Sequence, residues 1–432
     1  MKEYKLKYGK GEQSVMLDES KVLQIIDAAP GEKITDLKKA VLDAVRNPVG
    51  SAPLREVVKQ GDKVVILVSD ITRAWTRTSE YLPIVVEELN NSGIPDADIS
   101  VIVAAGTHRA NTDEEKKIIV GEDLYNRLKI YDHDAYDMDK NVYLGTTRRG
   151  TPVYLDKRAV EADKVILTGG ITPHLFAGFG GGRKSVLPGI AAAETINHNH
   201  VMALSDTIGG GINPDTCLAK TWDNRVSDDM CDATALLNPC FLVNAIMDAD
   251  GDFYAVAAGH WHEAWLEGTR IVTKQQGVKA KAKADIAISS GGGFPRDMNL
   301  YQGMKAYVPA AMALKEGGVI IAVLECEDIA EPPVFFNCFH YDDLKQMEQD
   351  VRDGFSIPFY VAFYTCCLAE RFTIILVTRP ENFEKARKTR AVPVATLQEA
   401  MAMAEKIVDR EDYTVNIIPH GMACLLYTSP SP

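Results

Sequence analysis

Short apolar runs rich in β-branched residues punctuate this chain, and most lead into stretches whose apolar positions recur every three to four residues. VVILV at 64–68 precedes YLPIVVEELNN, which has helical spacing and stops at Ser92-Gly93, a helix C-terminal signal. ISVIVAAG at 99–106 precedes TDEEKKIIVG, a charged helical pattern with Thr112 as its predicted N-cap. NVYLGTTRRGTPVYLD reads as a hairpin turning at Arg149-Gly150, and KVILTGG at 164–170 as a buried strand that runs into a glycine-rich loop. Alternation of this kind predicts βαβ units and a mainly parallel sheet.

The pattern breaks at 273–284, a polar, basic stretch that reads as a linker, and then restarts. DIAISSGGG is a strand ending in glycines, NLYQGMKAYVPAAMALKEGG a helix ending in glycines, and VIIAVLEC a further strand. FTIILVT at 372–378 is a strand and TLQEAMAMAEKIVDR at 396–410 an amphipathic helix. The expectation is two α/β domains with mainly parallel sheets, spanning 1–272 and 285–425, with the active site in the cleft between them. Residues 426–432 depart from the preceding pattern and are expected to be a non-native or disordered tail.

Composition narrows the function classes. The 432 residues are 46% hydrophobic and 25% charged, as in a well-buried globular protein, and the net charge of −13 argues against nucleic acid or an anionic membrane as partner. No run of about 18 apolar residues predicts a membrane span, and MKEYKLKYGKGEQ has no apolar signal-peptide region. The eight cysteines form no C-x-x-C pair, so reduced core thiols and a cytoplasmic location are expected.

Four segments place polar residues directly after predicted buried strands, where open α/β sheets bind ligands. They are Ser69 to Arg73, Gly106 to Arg109, Gly169 to Ser185 and Ser289 to Lys305. Gly178, Gly180, Gly181 and Gly182 let backbone approach an anion, and Lys184 adds a cation or nucleophile. Gly178 to Ser185 has the length of a P-loop, but Arg183 stands where its second glycine belongs. A nucleotide-dependent phosphotransferase is therefore the weaker reading, and a non-catalytic organic-acid-binding protein is the non-enzyme alternative. Of nine histidines, His108 and His174 follow strands and border glycines or a proline, whereas His198 and His200 lie two apart and would face differently on a helix.

Read in order, Asp70-x-Thr72-Arg73, Gly106-Thr107-His108-Arg109, Pro173-His174 with Ala177-Gly178-Phe179 and Gly181-Gly182-x-Lys184, Thr195-Ile196-x-x-Asn199-His200, and Asn299-Leu300-Tyr301-Gln302-x-x-Lys305 resemble the motifs of the nickel-pincer lactate racemase family. The resemblance implies a nickel-pincer nucleotide covalently attached at Lys184, with His200 as its metal ligand and Asp70, Ile71, Thr72 and Arg73 holding the nucleotide. It implies His108 and His174 as the acid/base pair, and Tyr301, Gln302 and Lys305 at the substrate. The implied activity is racemisation or epimerisation of a 2-hydroxy carboxylic acid, lactate or a longer relative, by proton-coupled hydride transfer through a 2-keto acid. The host's cofactor-synthesis enzymes would be partners. Two histidines suit that chemistry, because the two enantiomers present their hydroxyls in different directions and each needs a base.

Departures from the family pattern bear on substrate. Ala74 and Trp75 follow Arg73 where proline is usual, and Gly303 replaces a commoner small residue. The tryptophans, Trp75, Trp222, Trp261 and Trp265, all precede the linker, so Phe359 or Tyr360 is expected to replace the aromatic residue the family sets near the substrate.

Overall fold

The computed structural model describes residues 1–28, 31–248, 251–422 and 424–427. The strands of its two large sheets are β1 (Val22–Ile25), β2 (Val64–Ser69), β3 (Ile99–Ala104), β4 (Lys129–Asp132), β5 (Lys164–Gly170), β6 (Phe241–Met247), β7 (Phe253–Gly259), β8 (Ala284–Ser290), β9 (Leu314–Val323), β10 (Thr373–Val377), β11 (Val392–Val394) and β12 (Val415–Ile418). One six-stranded sheet has the order β7–β6–β5–β2–β3–β4 and the other β11–β10–β9–β8–β12–β1. Every pairing in them is parallel except β6 with β7. The strands read as unbroken apolar runs because helices cover both faces of such a sheet.

The first sheet carries its core in Val64, Ile66 and Val68 of β2, packed with Leu82, Val85 and Leu89 of the helix Thr78–Asn91. That helix ends as predicted, with Ser92 as C-cap and Gly93 at φ +89°. Thr112 caps Asp113–Val120 in a full capping box with Glu115. The strands Asn141–Thr146 and Pro152–Asp156 form the predicted hairpin. Among the described residues no helix is long and apolar enough to cross a membrane.

The chain divides into two compact units, and the division is not linear. Unit one holds Pro30–Ala203 and Pro214–Gln275; unit two holds Met1–Ala29, Leu204–Asn213 and Gln276–Pro432. The expected break between 1–272 and 285–425 therefore differs from the fold in three places. The first residues belong to unit two because β1 pairs with β12, and Tyr4, Leu6, Val15 and Leu17 of an N-terminal hairpin pack on Ile286, Ile288 and Val319. Residues 204–213 join it because Gly209 and Gly211 each donate an N–H to Glu348 Oε2 at 3.0 Å. The expected linker is structured, since the helix Glu263–Gln276 runs into it and Gly277–Lys279 pairs with Leu425–Tyr427. Of the expected tail, 426 and 427 thus form a strand, and 428–432 lie outside the described residues.

The helix expected over 299–318 ends at Met312. Leu314–Gly318 begins β9 instead, because Leu314 pairs with Ala284 and Gly317 turns the strand at φ +75°.

Candidate active site

In unit one, β2 is the first strand of its sheet in chain order. The chain builds outward through β3 and β4, then crosses back to place β5 on the other side of β2. The carboxyl ends of β2 and β5 therefore flank a topological switch point, where loops diverge and leave a crevice. Backbones approach closely there. A Cβ on Gly169 would stand 3.1 Å from Ser69 Oγ, and the Gly106 N–H, at φ +56°, donates to Gly189 O at 2.9 Å.

Asp70 leaves β2 and is buried, whereas His108, past the end of β3, is 45% exposed at its side chain. His108 Nδ1 lies 2.7 Å from Asp70 Oδ2, and Thr72 Oγ1 donates to Asp70 Oδ1 at 2.7 Å. Burial pushes the Asp70 carboxyl up, but the bonds from His108 and Thr72, with the charge of Arg73, hold it below the ordinary range. An ionised carboxylate only accepts, so His108 carries a proton on Nδ1, and Nε2 is its outward atom. The Ile71 N–H donates to Asn111 Oδ1 at 3.1 Å, and Asn111 is tied to Asp132 by Nδ2 at 2.8 Å, which fixes the turn after β2. Arg73 is exposed and donates to the Thr72 hydroxyl at 3.1 Å.

Beyond β5, His174 accepts from the Ala177 N–H at Nδ1, 3.3 Å, and its Nε2 lies 2.7 Å from Lys184 Nζ. With Nδ1 accepting, a neutral ring carries its proton on Nε2 and donates it to the lysine, which must offer a lone pair. The environment agrees. Burial drives the Lys184 amine well below its usual value, and the cations of Arg73 and Arg183 push the same way. Phe176 is the hub of this group. Its ring is edge-on to His174 at 4.7 Å and to His200 at 5.2 Å, and Lys184 Nζ stands 5.6 Å from its centroid. His200 ends the helix Ala193–His200 fully buried while His198 faces solvent, as their spacing predicted. Burial is the largest cause that takes His200 down to about 3.

Arg183, whose side chain spoils a P-loop, is wholly buried and acts as an internal strut. Its guanidinium lies 3.8 Å from the centroid of Trp265 and donates to Ala177 O at 2.6 Å, Phe179 O at 3.2 Å and Ser227 Oγ at 2.8 Å. Trp265 Nε1 donates to Gly180 O at 3.0 Å, and the Gly182 N–H donates to Asn244 Oδ1 at 2.8 Å. Gly182, at φ +52°, has no room for a side chain, because a Cβ would meet Trp265 at 2.7 Å. The glycine turn is thus wrapped on protein, with Lys184 directed away from Arg183 toward His174. Phe176, Trp265, Asn244 and Asn111 escaped the sequence reading. Their one signal is nearness to the glycine loop or a strand end, and Trp265 and Asn244 lack even that in sequence.

Tyr301, Gln302 and Lys305 stand in unit two, after β8. Asn299 caps the short helix Leu300–Gly303 by accepting from the Gln302 N–H at 3.0 Å, and Lys305 Nζ donates to Gln302 Oε1 at 2.6 Å. The Tyr301 ring packs against Phe335 at 5.3 Å. Phe359 and Tyr360 lie on the helix Ile357–Arg371; Phe359 is half-buried and stacks on Tyr341, while Tyr360 is fully buried against Tyr364.

Two family models match the chain, the lactate racemase N-terminal domain over residues 8–210 and the lactate racemase C-terminal domain over 279–426. The lactate racemase of Thermoanaerobacterium thermosaccharolyticum is 31% identical over 433 residues, covering 99% of each protein. That of Lactiplantibacillus plantarum is 37% identical over 400 residues, covering 90% of this chain and 91% of the relative. The solved structure of the T. thermosaccharolyticum lactate racemase apoprotein matches with a TM-score of 0.88 at 30% identity, covering 99% of this chain and 100% of that one.

Proposed function

Because the chain belongs to the lactate racemase family and is an isomerase of the racemase type, we propose that it interconverts the enantiomers of a 2-hydroxy carboxylate, with His108 and His174 as the two bases. The observation that carries this reading is the pair of histidine contacts at the switch point, His108 on Asp70 and His174 on Lys184, each at 2.7 Å.

The residues present fit a nickel-pincer nucleotide. Among the described residues no group of three or more His, Cys, Asp or Glu is set to hold a metal ion, so a metal here would draw most of its donors from the cofactor. His200 adds one imidazole that burial keeps neutral, as nickel requires of a nitrogen ligand. Burial and the neighbouring cations favour the uncharged form of the Lys184 amine, the form that would join a thiocarboxyl carbon with loss of water. Asp70, Ile71, Thr72 and Arg73 border the same crevice and would hold the nucleotide. When bound, the cofactor supplies a hydride acceptor for C2 of the substrate.

The chain's own part is proton movement and binding. His108, its Nδ1–H fixed on Asp70, takes the hydroxyl proton of one enantiomer at Nε2. His174 serves the other enantiomer once a covalent bond at Lys184 has removed the amine from its Nε2. The ring then takes the tautomer with its proton on Nδ1, giving up the 3.3 Å bond from the Ala177 N–H, and Nε2 is left to accept. Gln302 and Lys305 bind the substrate carboxylate, with Tyr301 beside them.

The test is the protein produced together with the enzymes that build the cofactor. Intact mass should show an adduct that disappears in Lys184→Ala. Chiral chromatography should show D- and L-lactate, or a longer 2-hydroxy acid from a panel, converging on a racemic mixture. A mass difference between the two proteins no larger than that of the lysine-to-alanine change itself would refute attachment at Lys184, and enantiomers left unconverted across the panel would refute the activity.

A further inference from the structure

The loop that carries Gln302 and Lys305 is braced by a residue 288 positions away. Gly9 turns the N-terminal hairpin Lys2–Tyr8 and Gly11–Leu17. Its N–H donates to Asp297 Oδ2 at 2.7 Å, and its carbonyl accepts from the Phe294 N–H at 2.8 Å. Both backbone groups of one residue are thus spent on the loop after β8. Ser290 Oγ donates to Lys7 O at 2.6 Å, and Lys10 Nζ stands 5.2 Å from the Phe294 ring centroid.

Asp297 is buried, at 1% exposure, and its Oδ2 also accepts from the Glu325 N–H at 3.3 Å, while its carbonyl accepts from the Cys326 N–H at 3.0 Å. It therefore ties the loop both to the hairpin and to the segment following β9. Two residues later, Asn299 caps the helix of Gln302. The tip has no space for a side chain unless the Glu325 carboxylate moves aside: Gly9 has φ +52°, and a Cβ there would come within 1.7 Å of Glu325 Oε2.

Gly293 leaves equally little room, since its Cβ would lie 2.8 Å from Gly9 O. A hairpin serving only to cover the sheet would need its apolar residues Tyr4, Leu6, Val15 and Leu17 on the core. It would not need its tip threaded into the polar groups of this one loop.

We infer that the hairpin tip at Gly9, acting through Asp297, is a positioning device that sets where Gln302 and Lys305 stand. The inference rests on the proposed role of those two residues at the substrate carboxylate. Neither Gly9 nor Asp297 touches the substrate in this account, so their loss acts through the loop.

The test is steady-state kinetics of the cofactor-loaded enzyme on D- and L-lactate, with Gly9→Ala, Asp297→Asn, Asp297→Ala, Lys305→Ala and the double variant Gly9→Ala/Lys305→Ala. Gly9→Ala and Asp297→Ala should raise KM about tenfold with kcat changed less than about threefold, the pattern of lost binding in ground and transition states alike. Asp297→Asn keeps an acceptor oxygen and should sit between them and wild type. The double variant should be worse than Lys305→Ala by clearly less than the factor Gly9→Ala costs alone, because the two changes share the Lys305 interaction and only the Gln302 part remains to be lost. Hydrogen exchange over 291–305 should quicken in Gly9→Ala while that over 64–69 stays as in wild type, a readout that also serves if a variant cannot be loaded.

Effects of Gly9→Ala and Lys305→Ala that simply multiply would overturn the inference, as would an unchanged KM in Gly9→Ala beside a raised one in Lys305→Ala. An unchanged KM in Lys305→Ala would overturn it through its premise, the carboxylate role, and is distinguished by that variant alone.

Discussion

A carboxylate that accepts from an imidazole Nδ1–H selects the tautomer as well as the orientation of the ring. Asp70 does this for His108 and is kept ionised by the bonds it receives. Asp70→Asn is nearly isosteric, but its amide offers N–H groups that can turn toward the ring. Nδ1 then becomes the acceptor, the proton moves to Nε2, and the base is lost. Racemase activity should fall about 10²–10⁴-fold, in the range of a general base removed, with little change in thermal stability. Rates of both directions and a melting curve would check it; activity within threefold of wild type would remove Asp70 from the mechanism. The chemically rare residues at this scale were legible in sequence: His108, His174, Lys184 and His200 are reactive side chains beside glycines or at a fixed motif spacing. Phe176 was not, because one phenylalanine beside a histidine looks like any core residue until the three rings are seen together.

The elements were legible where a period was clear, as in β2, β3, β5 and the helix Thr78–Asn91. The helix Ile357–Arg371 was not, since residues on most of its sides are apolar and no stripe stands out. The glycine turn shows a different limit. Its sequence gives flexibility, but its shape comes from Arg183 and Trp265, and a desolvated cation over an indole is worth about 2 kcal/mol. Arg183 also lowers the Lys184 amine, after burial and Arg73. Acylation needs the free amine, so a lowered value extends labelling to lower pH. Removing the guanidinium charge in Arg183→Met should raise the Lys184 value. Its labelling profile with acetic anhydride, followed by peptide mass spectrometry on the cofactor-free protein, should therefore move to higher pH. The groups facing Lys184 that remain are Arg73, His174 and His200. A profile that stays put would mean that burial and Arg73 set the amine, and that Arg183 serves only to shape the turn.

At the scale of the whole molecule, periodicity cannot say which sheet a segment joins, because pairing is decided by partners far along the chain. The first residues were assigned to the domain they precede, yet β1 pairs with β12 and the hairpin before it packs on β8 and β9. The same holds for 204–213, whose only sequence mark is a glycine run that proves to be bound by Glu348. This discontinuity makes a prediction that a linear division would reverse. Leu6 is 2% exposed among Tyr4, Ile286 and their neighbours in the core of unit two. Leu6→Ala removes buried methyl and methylene groups and leaves a cavity, a cost of about 2–5 kcal/mol for a leucine in a well-packed core. The loss belongs to the unit whose core is opened. Hydrogen exchange should quicken in Ile286–Ser290 and Val319–Val323, some 280 or more residues away, as local and sub-global openings of that unit become easier. It should not quicken in Val64–Ser69, the nearest large-sheet strand of unit one in sequence. Faster exchange confined to Val64–Ser69 would mean that the hairpin supports the domain it precedes, and that the two units are divided where the chain alone suggests.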